Sequence, residues 1–262
     1  MSSVARLPRP SRPKETYLSP ARPRVLAHRG LALEAPENTL LAFARAVAIG
    51  CAYIETDVHV SADGIAVVAH DPDLRRVAGR NVRVEQLTMA ELRRVDLGHG
   101  QGFSSLAEAL DTFPETRFNI DMKARAAVEP TVDSILSLRA SDRVLVTSFN
   151  EARRAAAIRA LPNVATSASA RRFATALVGA KVGFSPAVRG SLRGVVAVQV
   201  PERALGLRVT TRRMIDRLHG AGVEIHVWTV NDPVRMAELL DLGVDGIVTD
   251  RADLALDVIQ DR

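Results

Sequence analysis

Two carboxylates with the spacing of a shared cation site stand in the first half of the chain. Glu55 and Asp57 lie two residues apart in an apolar segment, and in a β-strand this spacing places both side chains on the same face. Carboxylates held side by side repel each other unless a cation or a proton lies between them, and oxygen-only ligands suit Mg²⁺ or Ca²⁺. Asp121, which closes a later apolar segment, could supply a third ligand. The alternative is an internal ion pair between one of these carboxylates and Arg29 or Lys123.

Two histidines could act as the acid and the base of a reaction at this site. His28 and His70 each follow a short apolar segment and each precede a charged residue. Imidazole titrates near neutral pH, so a pair of histidines beside a carboxylate cluster suits general acid–base catalysis. Arg29 offers a planar fork that matches phosphate, and Lys123 adds a point charge. Together these groups favour an anionic phosphoryl substrate over a neutral sugar. The remaining histidines are weaker candidates and are interpreted mainly as structural: His59, His99, His219 and His226.

The elements that must position these residues follow a regular order. From Val25 onward, short apolar segments alternate with amphipathic ones, which predicts strands alternating with helices. Eight of the predicted strands can lie parallel, as in a TIM (β/α)8 barrel, and a doubly wound open sheet is the alternative. In a barrel, the C-terminal ends of the strands form the active face. Those ends also carry Ser148, Gln199, Trp228 and Asp250.

The alternation is interrupted after the second predicted strand. A turn of only four residues separates that strand from the segment ending at His70. This is too short for a parallel crossover, so we expect a hairpin or an extended excursion. Residues 71–103 are polar, rich in arginine and contain four glycines. They predict a small insertion that forms a lid.

The composition places limits on the class of protein. The chain has 262 residues, of which 47% are hydrophobic and 25% are charged, as in an ordinary globular protein. Its single cysteine, Cys51, excludes a disulfide framework or a cysteine-built metal site within one chain and is interpreted as a buried strand residue. No run of about 18 apolar residues is present, which predicts no transmembrane helix. The N-terminal region lacks the apolar core of a secretory signal, so the cytoplasm is the expected compartment.

Residues 1–24 hold six basic side chains, one acidic side chain and five of the 13 prolines, and their net charge of +5 equals that of the whole chain. This composition predicts a disordered basic arm. Removal of residues 1–22 is expected to leave catalysis and the melting temperature almost unchanged, because the arm can bury little apolar area. Weak contact with an anionic surface is the alternative to an arm without a partner. Residues 25–262 carry no net charge, so we expect this part of the chain to bind no nucleic acid. We expect it to form one barrel domain.

An ordered set of short motifs resembles the glycerophosphodiester phosphodiesterase family. The resemblance runs from about Val25 to about Leu256. It rests on HRG (28–30), PENT (36–39), IETDV (54–58), DG (63–64), VVAHD (67–71), NIDMK (119–123), VWTVN (227–231) and GIVTDRADL (246–254). None of these motifs is decisive alone, but together and in this order they are specific.

The resemblance implies a TIM barrel with a small insertion after the second strand. It also implies hydrolysis of small glycerophosphodiesters to glycerol 3-phosphate and an alcohol, with a divalent cation, Mg²⁺ or Ca²⁺, as cofactor. The residues implied are His28 and His70 as the acid–base pair, Arg29 and Lys123 at the phosphate, Trp228 near the glycerol end, Glu55, Asp57 and Asp121 as metal ligands, and Glu37 and Asn38 bracing the metal and the loop. The chain departs from the family at Asp121, where the usual residue is Glu and sphingomyelinase D-like relatives have Asp.

Two other functions remain open from the sequence. One is a lysophospholipase D or sphingomyelinase D-like phosphodiesterase that acts on lipid-sized substrates, although the polar insertion argues mildly against it. The other is a catalytically inactive barrel that binds a phosphate ligand. Loss of one of the two histidines or of a carboxylate would have indicated this function. In the catalytic case, either water or the glycerol 2-hydroxyl is the attacking group, and either histidine can be the base.

Overall fold

The computed structural model describes residues 16–262. Its strands are β1 (Arg24–His28), β2 (Tyr53–Val60), β3 (Ala66–Val68), β4 (Arg117–Met122), β5 (Val144–Thr147), β6 (Ala165–Thr166), β7 (Ala197–Val200), β8 (Arg203–Ala204), β9 (Leu207–Arg208), β10 (Glu224–Val227) and β11 (Gly246–Thr249). Its α-helices are α1 (Leu40–Ala48), α2 (Arg75–Ala78), α3 (Met89–Leu92), α4 (Leu106–Thr112), α5 (Val128–Ser137), α6 (Glu151–Ala160), α7 (Ala170–Val182), α8 (Ser185–Ser191), α9 (Arg212–His219), α10 (Pro233–Asp241) and α11 (Ala252–Gln260). Two short 3₁₀ helices span Val84–Gln86 and Ser141–Arg143.

Eight parallel strands form a ring. Their order is β6-β5-β4-β2-β1-β11-β10-β7. Two backbone hydrogen bonds close the gap between the last and first strands, from Ala168 N to the Ala197 carbonyl (3.0 Å) and from Val196 N to the Thr166 carbonyl (2.9 Å). A closed ring of eight parallel strands surrounded by helices is a TIM (β/α)8 barrel, so the barrel prediction is confirmed over the open sheet.

The strand β3 is the excursion expected after β2. It pairs antiparallel with β2, with Val68 opposite Val58. The connecting turn places Gly64 at a φ of +79°, a conformation that glycine adopts without steric cost. The hairpin carries the chain to His70, at the same edge of the barrel as the end of β2.

The helices pack on the outside of the ring through their apolar faces. In α1, the side chain of Thr39 caps the first turn by accepting a hydrogen bond from Ala42 N. The fully buried Phe43 meets Phe118 of β4 edge-on, with 5.8 Å between ring centroids. Such ring pairs stabilise a core beyond the area that they bury. The core between helices and sheet therefore fixes β2 and β4, the strands that carry the carboxylates.

The insertion has a small apolar core of its own. Leu74, Val84, Met89, Leu92 and Phe103 are buried together with Val67 and Ala69 of the adjoining hairpin. The polar composition of residues 71–103 concealed this cluster, because its few apolar side chains all face one another. The insertion is thus a packed subdomain beside β3.

The N-terminal segment covers the end of the barrel opposite to the carboxyl ends of the strands. Tyr17 is only 2% exposed and meets Tyr53 edge-on at 5.2 Å. Its carbonyl accepts a hydrogen bond from Tyr53 Oη (2.8 Å). Arg24, 3% exposed, donates to both carboxylate oxygens of Glu224 (2.7 and 2.8 Å) and to Tyr53 Oη (2.6 Å). The tyrosine pair and the buried arginine close this end of the barrel.

The prediction of a disordered arm through residue 24 is therefore wrong for residues 16–24. One aromatic ring, Tyr17, buries enough area to hold this stretch, and Arg24 belongs to β1. The rest of the predicted arm, residues 1–15, lies outside the described residues.

Cys51 is buried, as expected, but it lies just before β2 and not within the strand. Its thiol donates to the carbonyls of Val25 and Tyr53, and burial raises its pKa to about 11. Such a thiol stays protonated and is inert as a nucleophile. Among residues 16–262, none of the helices has the length and the apolar character needed to cross a bilayer.

Replacement of Tyr17 tests whether residues 16–23 are part of the folded domain. Tyr17→Ala should lower the free energy of unfolding by about 2–3 kcal/mol, because it opens a cavity under the barrel. Tyr17→Phe is the control. The Tyr17 hydroxyl has no hydrogen-bond partner among the described residues, so its loss should be neutral or slightly stabilising. Denaturant unfolding measures both, and an alanine variant as stable as the wild type would show that the segment does not pack.

Glu224 should make stability depend on pH in the acid range. Burial acts to raise the pKa of Glu224, but hydrogen bonds from Arg24 and His226 outweigh it and lower that pKa to about 2 from 4.5. A lowered folded-state pKa contributes stability that is present above 4.5 and is lost as pH falls toward 2. The free-energy gap between wild type and Glu224→Gln should therefore shrink as pH falls through this range. Glu129→Gln, an exposed carboxylate of α5, should show no such trend, and a gap independent of pH would contradict the pairing.

Candidate active site

The side chains singled out by sequence meet at the carboxyl ends of the barrel strands. A cavity of about 510 Å³ opens there. Its lining includes His28, Arg29, Glu55, Asp57, His70, Asp121, Lys123 and Trp228, together with Ser148 and Gln199. Glu37 and Asn38 lie behind this lining and contact it through hydrogen bonds. Open space and convergent charged groups are the usual features of a small-molecule site.

The three carboxylates are brought together by strand register. Asp57 of β2 lies opposite Asp121 of β4, and Glu55 lies opposite His28 of β1. Lys123 Nζ lies 2.8 Å from Asp57 Oδ1 and 2.7 Å from Asp121 Oδ2. The internal ion pair weighed from the sequence therefore exists in this structure, and the ammonium bridges two aspartates.

The electrostatics of this cluster follow from burial and crowding. Burial, reinforced by the nearby charge of Asp57, raises the pKa of Glu55 well above its ordinary value. Burial likewise raises the pKa of Asp121. For Lys123, burial alone would lower the pKa, but Asp57 and Asp121 outweigh it and raise the pKa. In this cluster the negative charge of the three carboxylates exceeds the positive charge of Arg29 and Lys123. This excess of negative charge favours the binding of a further cation.

The donor set fits a divalent cation chemically. Glu55 Oε2 and Asp121 Oδ1 are buried and have no hydrogen-bond partner among the described residues. Buried carboxylate oxygens without partners are costly, and hard cations with oxygen ligands relieve that cost. As the side chains stand in residues 16–262, no three of the His, Cys, Asp and Glu side chains converge as metal ligands. The ammonium of Lys123 supplies the cationic charge between two of them.

A tight turn after β1 aims Arg29 into the cluster. Arg29 has a φ of +57° and Gly30 a φ of +86°. A Cβ on Gly30 would lie 2.7 Å from the Ala42 carbonyl carbon, so only glycine fits against α1. The left-handed conformation costs Arg29 about 1–2 kcal/mol, and strain of this kind is typical of functional sites. The result is that Arg29 Nε lies 3.2 Å from Asp57 Oδ2.

Glu37 and Asn38 hold this arrangement from behind. Arg29 donates to Glu37 Oε1 (3.0 Å). Asn38 Nδ2 donates to Asp57 Oδ2 (3.2 Å), and Asn38 Oδ1 accepts from Thr56 Oγ1 (2.8 Å). Asn38 itself is buried with a φ of +56°. These contacts fix the carboxylate of Asp57 and the guanidinium of Arg29 relative to each other.

His28 is oriented by a carboxylate from the far end of the chain. Its Nδ1 lies 2.6 Å from Asp250 Oδ1, and Asp250 Oδ2 accepts from Asn231 Nδ2 (2.8 Å). With Nδ1 engaged, Nε2 is left for other partners, and the carboxylate nearest to it is Glu55, whose Oε2 lies 3.9 Å away. An imidazole held by a carboxylate at one nitrogen presents the other for proton transfer.

His70 repeats this arrangement with its own neighbour. Its Nδ1 lies 2.8 Å from Asp71 Oδ1, and Asp71 is held by Arg76 Nε at 2.6 Å. Arg76 also donates to Glu37 (2.6 Å), so α2 of the insertion connects the two sides of the site. His59 bonds the carbonyl of His70 through Nε2 (3.2 Å) and lies outside the cavity. Three further histidines are also absent from the lining of this cavity: His99, His219 and His226.

Several residues of the site were not identified from the sequence. Phe149, Phe173 and Leu205 form an apolar wall of the cavity together with Trp228, and Phe149 meets Trp228 edge-on at 6.1 Å. Phe149 directly follows Ser148, a predicted strand end, and this position was the sequence feature that could have placed Phe149 at the site. Phe173 and Leu205 lie in α7 and in the β8–β9 turn, and only the fold brings them to the cavity.

Comparison with known proteins identifies the family of the chain. Residues 28–254 match the Glycerophosphoryl diester phosphodiesterase family. The chain is 41% identical over 236 residues to the probable glycerophosphodiester phosphodiesterase 2 of Mycobacterium tuberculosis, covering 89% of each chain. It is 26% identical over 273 residues to a lysophospholipase D of Mus musculus, covering 91% of this chain and 85% of that one.

Comparison of structures gives the same result. A putative glycerophosphoryl diester phosphodiesterase of Silicibacter pomeroyi superposes with a TM-score of 0.78 at 25% identity, over 92% of this chain and 94% of that one. The barrel fold and the match over nearly the whole described chain agree with one another. The chain therefore belongs to the glycerophosphoryl diester phosphodiesterase family of phosphoric diester hydrolases.

Proposed function

We propose that this chain hydrolyses glycerophosphodiesters to glycerol 3-phosphate and an alcohol, with His28 and His70 as acid and base and a divalent cation as cofactor. The observation that carries the proposal is the single cavity in which both imidazoles line the wall with Arg29, Lys123 and the three carboxylates. The family membership and the M. tuberculosis relative support the reaction class. The proposed partner is a small-molecule diester.

Binding of the phosphate falls to the two cations of the cavity. Arg29 presents a planar fork that can hold two phosphate oxygens, and Lys123 presents a compact charge. Both already contact Asp57, so they are held in place before the substrate arrives. Cations fixed in this way stabilise charge that grows on the phosphoryl oxygens without having to reorganise.

Proton transfer falls to the two Nε2 atoms. Each imidazole is fixed at Nδ1 by a carboxylate, Asp250 for His28 and Asp71 for His70. One Nε2 takes the proton of the attacking oxygen, which belongs to water or to the glycerol 2-hydroxyl, as that oxygen bonds to phosphorus. Attack by the 2-hydroxyl gives a cyclic phosphate, which water then opens to glycerol 3-phosphate in a second step with the roles of the two histidines reversed. The other histidine gives a proton to the oxygen of the leaving alcohol as its bond to phosphorus breaks. One proton is taken up by the first histidine and one is released by the second, so the total charge of the site is unchanged.

Glu55, Asp57 and Asp121 are the residues that would hold the cation, Mg²⁺ or Ca²⁺. The partnerless oxygens on Glu55 and Asp121 support this assignment. A bound divalent cation lowers the pKa of a hydroxyl in contact with it and polarises a phosphoryl oxygen. Asn38 and Glu37 would keep Asp57 and Arg29 oriented while Lys123 exchanges its aspartate partners for the phosphate.

The apolar wall supports a second candidate, a lysophospholipase D-like activity. Phe149, Phe173, Leu205 and Trp228 line the cavity on the elements that follow β5, β6, β7 and β10, and they could accommodate a hydrocarbon group of the substrate. The mouse relative carries that activity in its name. The wall belongs to the barrel and not to the polar insertion, so the polarity of the insertion does not argue against a lipid-sized substrate.

A panel of diesters separates these activities. Release of glycerol 3-phosphate should be measured from head-group diesters, and release of lysophosphatidic acid from lysophospholipids, each with Mg²⁺, Ca²⁺ or EDTA. We expect glycerol 3-phosphate to be released and EDTA to abolish the reaction. Turnover of lysophospholipids alone would favour the second candidate, and tight phosphate binding without turnover would indicate an inactive barrel.

Removal of either imidazole should abolish most of the turnover. His28→Ala and His70→Ala are each expected to lower kcat by about 10²–10⁴, the usual effect of losing a general acid or base. His99→Ala is the matched control, because His99 is exposed in the insertion and lies outside the cavity. Steady-state kinetics at saturating cation measures all three. Near-wild-type kcat in either site variant would make that histidine structural.

Loss of one carboxylate charge should weaken cation binding. Asp57→Asn keeps the shape of the side chain but removes a ligand charge, so metal affinity should fall by about tenfold or more. Titration calorimetry measures the affinity, and the melting temperature verifies the fold. Asp216→Asn, an exposed carboxylate on α9, should bind metal like the wild type. Equal affinity in Asp57→Asn and the wild type would remove Asp57 from the ligand set.

A further inference from the structure

One face of the barrel beside the cavity mouth is strongly basic. It is formed by α7, α8, the β8–β9 hairpin and α9, which together with the inner strand β7 make up residues 170–217, and is called here the basic face. This stretch contains ten arginine and lysine residues against two acidic residues, Glu202 and Asp216. Its net charge of +8 exceeds the +5 of the whole chain. Positive charge is therefore concentrated in this stretch of the chain.

The same face exposes large apolar side chains that lead away from the cavity. Val178 and Val182 are 56% and 72% exposed. With Ala174, which lines the cavity, they repeat every four residues along α7 and so lie on the same side of that helix. Leu205, 70% exposed at the turn of the β8–β9 hairpin, also lines the cavity. An apolar stripe along α7 thus leads from the cavity onto the basic face.

Beside this stripe, a smaller cavity gathers basic side chains. It has a volume of about 210 Å³ and is lined by Lys181, Arg208, Arg213 and Arg217, together with Leu207, Thr211 and Met214. Arg217 is held by the carbonyl of Ala180. Across residues 16–262, no carboxylate forms an ion pair with the other three basic groups. Direct ion pairs therefore do not neutralise these three groups.

We infer that the basic face docks the protein on an anionic lipid bilayer, with the apolar side of the cavity mouth beside the lipid. Exposed apolar side chains interspersed with lysine and arginine are typical of surfaces that bind at a membrane interface, and each basic group near an anionic leaflet adds to the attraction. A second copy of the chain is a poor occupant, because two surfaces of charge +8 repel each other. The small basic cavity would receive a lipid phosphate group. This inference stands whether or not the proposed hydrolysis is correct.

Vesicle co-sedimentation of the full chain tests the inference. The wild type should bind phosphatidylglycerol-containing vesicles at low salt, and pure phosphatidylcholine vesicles much more weakly. High salt should reduce binding, because it screens the charges. Lys181→Glu combined with Arg208→Glu should lower the partition coefficient by about tenfold or more, while turnover of a water-soluble diester stays unchanged. Val178→Ser combined with Val182→Ser should lower binding at both salt concentrations, since apolar insertion is not screened.

The matched control has the same charge change on another side. Arg139→Glu combined with Arg159→Glu reverses two exposed arginines outside the basic face and should bind almost like the wild type. An equal loss in this control, or equal binding to the two lipid compositions, would overturn the inference. So would light scattering that shows a wild-type dimer broken by the Val178 and Val182 substitutions, because the face would then belong to a second copy. All variants must retain the wild-type melting temperature.

Discussion

The crowding of three buried carboxylates at the ends of β2 and β4 is the constraint on which the rest of the site depends. Strand alternation and parallel register force Glu55, Asp57 and Asp121 into one region of the barrel, where burial makes their charges costly. The chain balances part of this charge with Lys123 and Arg29. What remains on the partnerless oxygens of Glu55 and Asp121 suits a divalent cation. The same cations and carboxylates then serve a phosphate-containing substrate.

The barrel separates stability from chemistry along its axis. At the closed end, Tyr17, Tyr53 and the Arg24–Glu224 pair form a hydrogen-bonded plug. At the open end, polar side chains face a cavity, and a non-glycine residue, Arg29, adopts a left-handed conformation. Strain and repulsion at one end are tolerated because the packed ring of strands and the plug hold the frame rigid.

The two histidines share one design despite their different origins. His28 takes its orienting carboxylate from Asp250, more than 200 residues away, and His70 takes it from its immediate neighbour Asp71. Each carboxylate is in turn held, by Asn231 and by Arg76 respectively. Arg76 lies in the insertion, so the packed core of that subdomain contributes to the position of His70. The apolar wall on the other side of the cavity continues onto the basic face, which gives the site a polar side and an apolar side.

The sequence by itself determined the features that depend on local periodicity. Alternation of apolar and amphipathic segments predicted the eight parallel strands, and the short turn before β3 predicted the antiparallel excursion. Both are confirmed. The two-residue spacing of Glu55 and Asp57 predicted that they share a face, since the period of a strand is two. Only the tertiary structure decided which partner each group takes. The bridge from Lys123 to both aspartates, the pairing of His28 with Asp250 and the burial of Tyr17 under the barrel join segments far apart in sequence, and such contacts exist only after the ring of strands has closed.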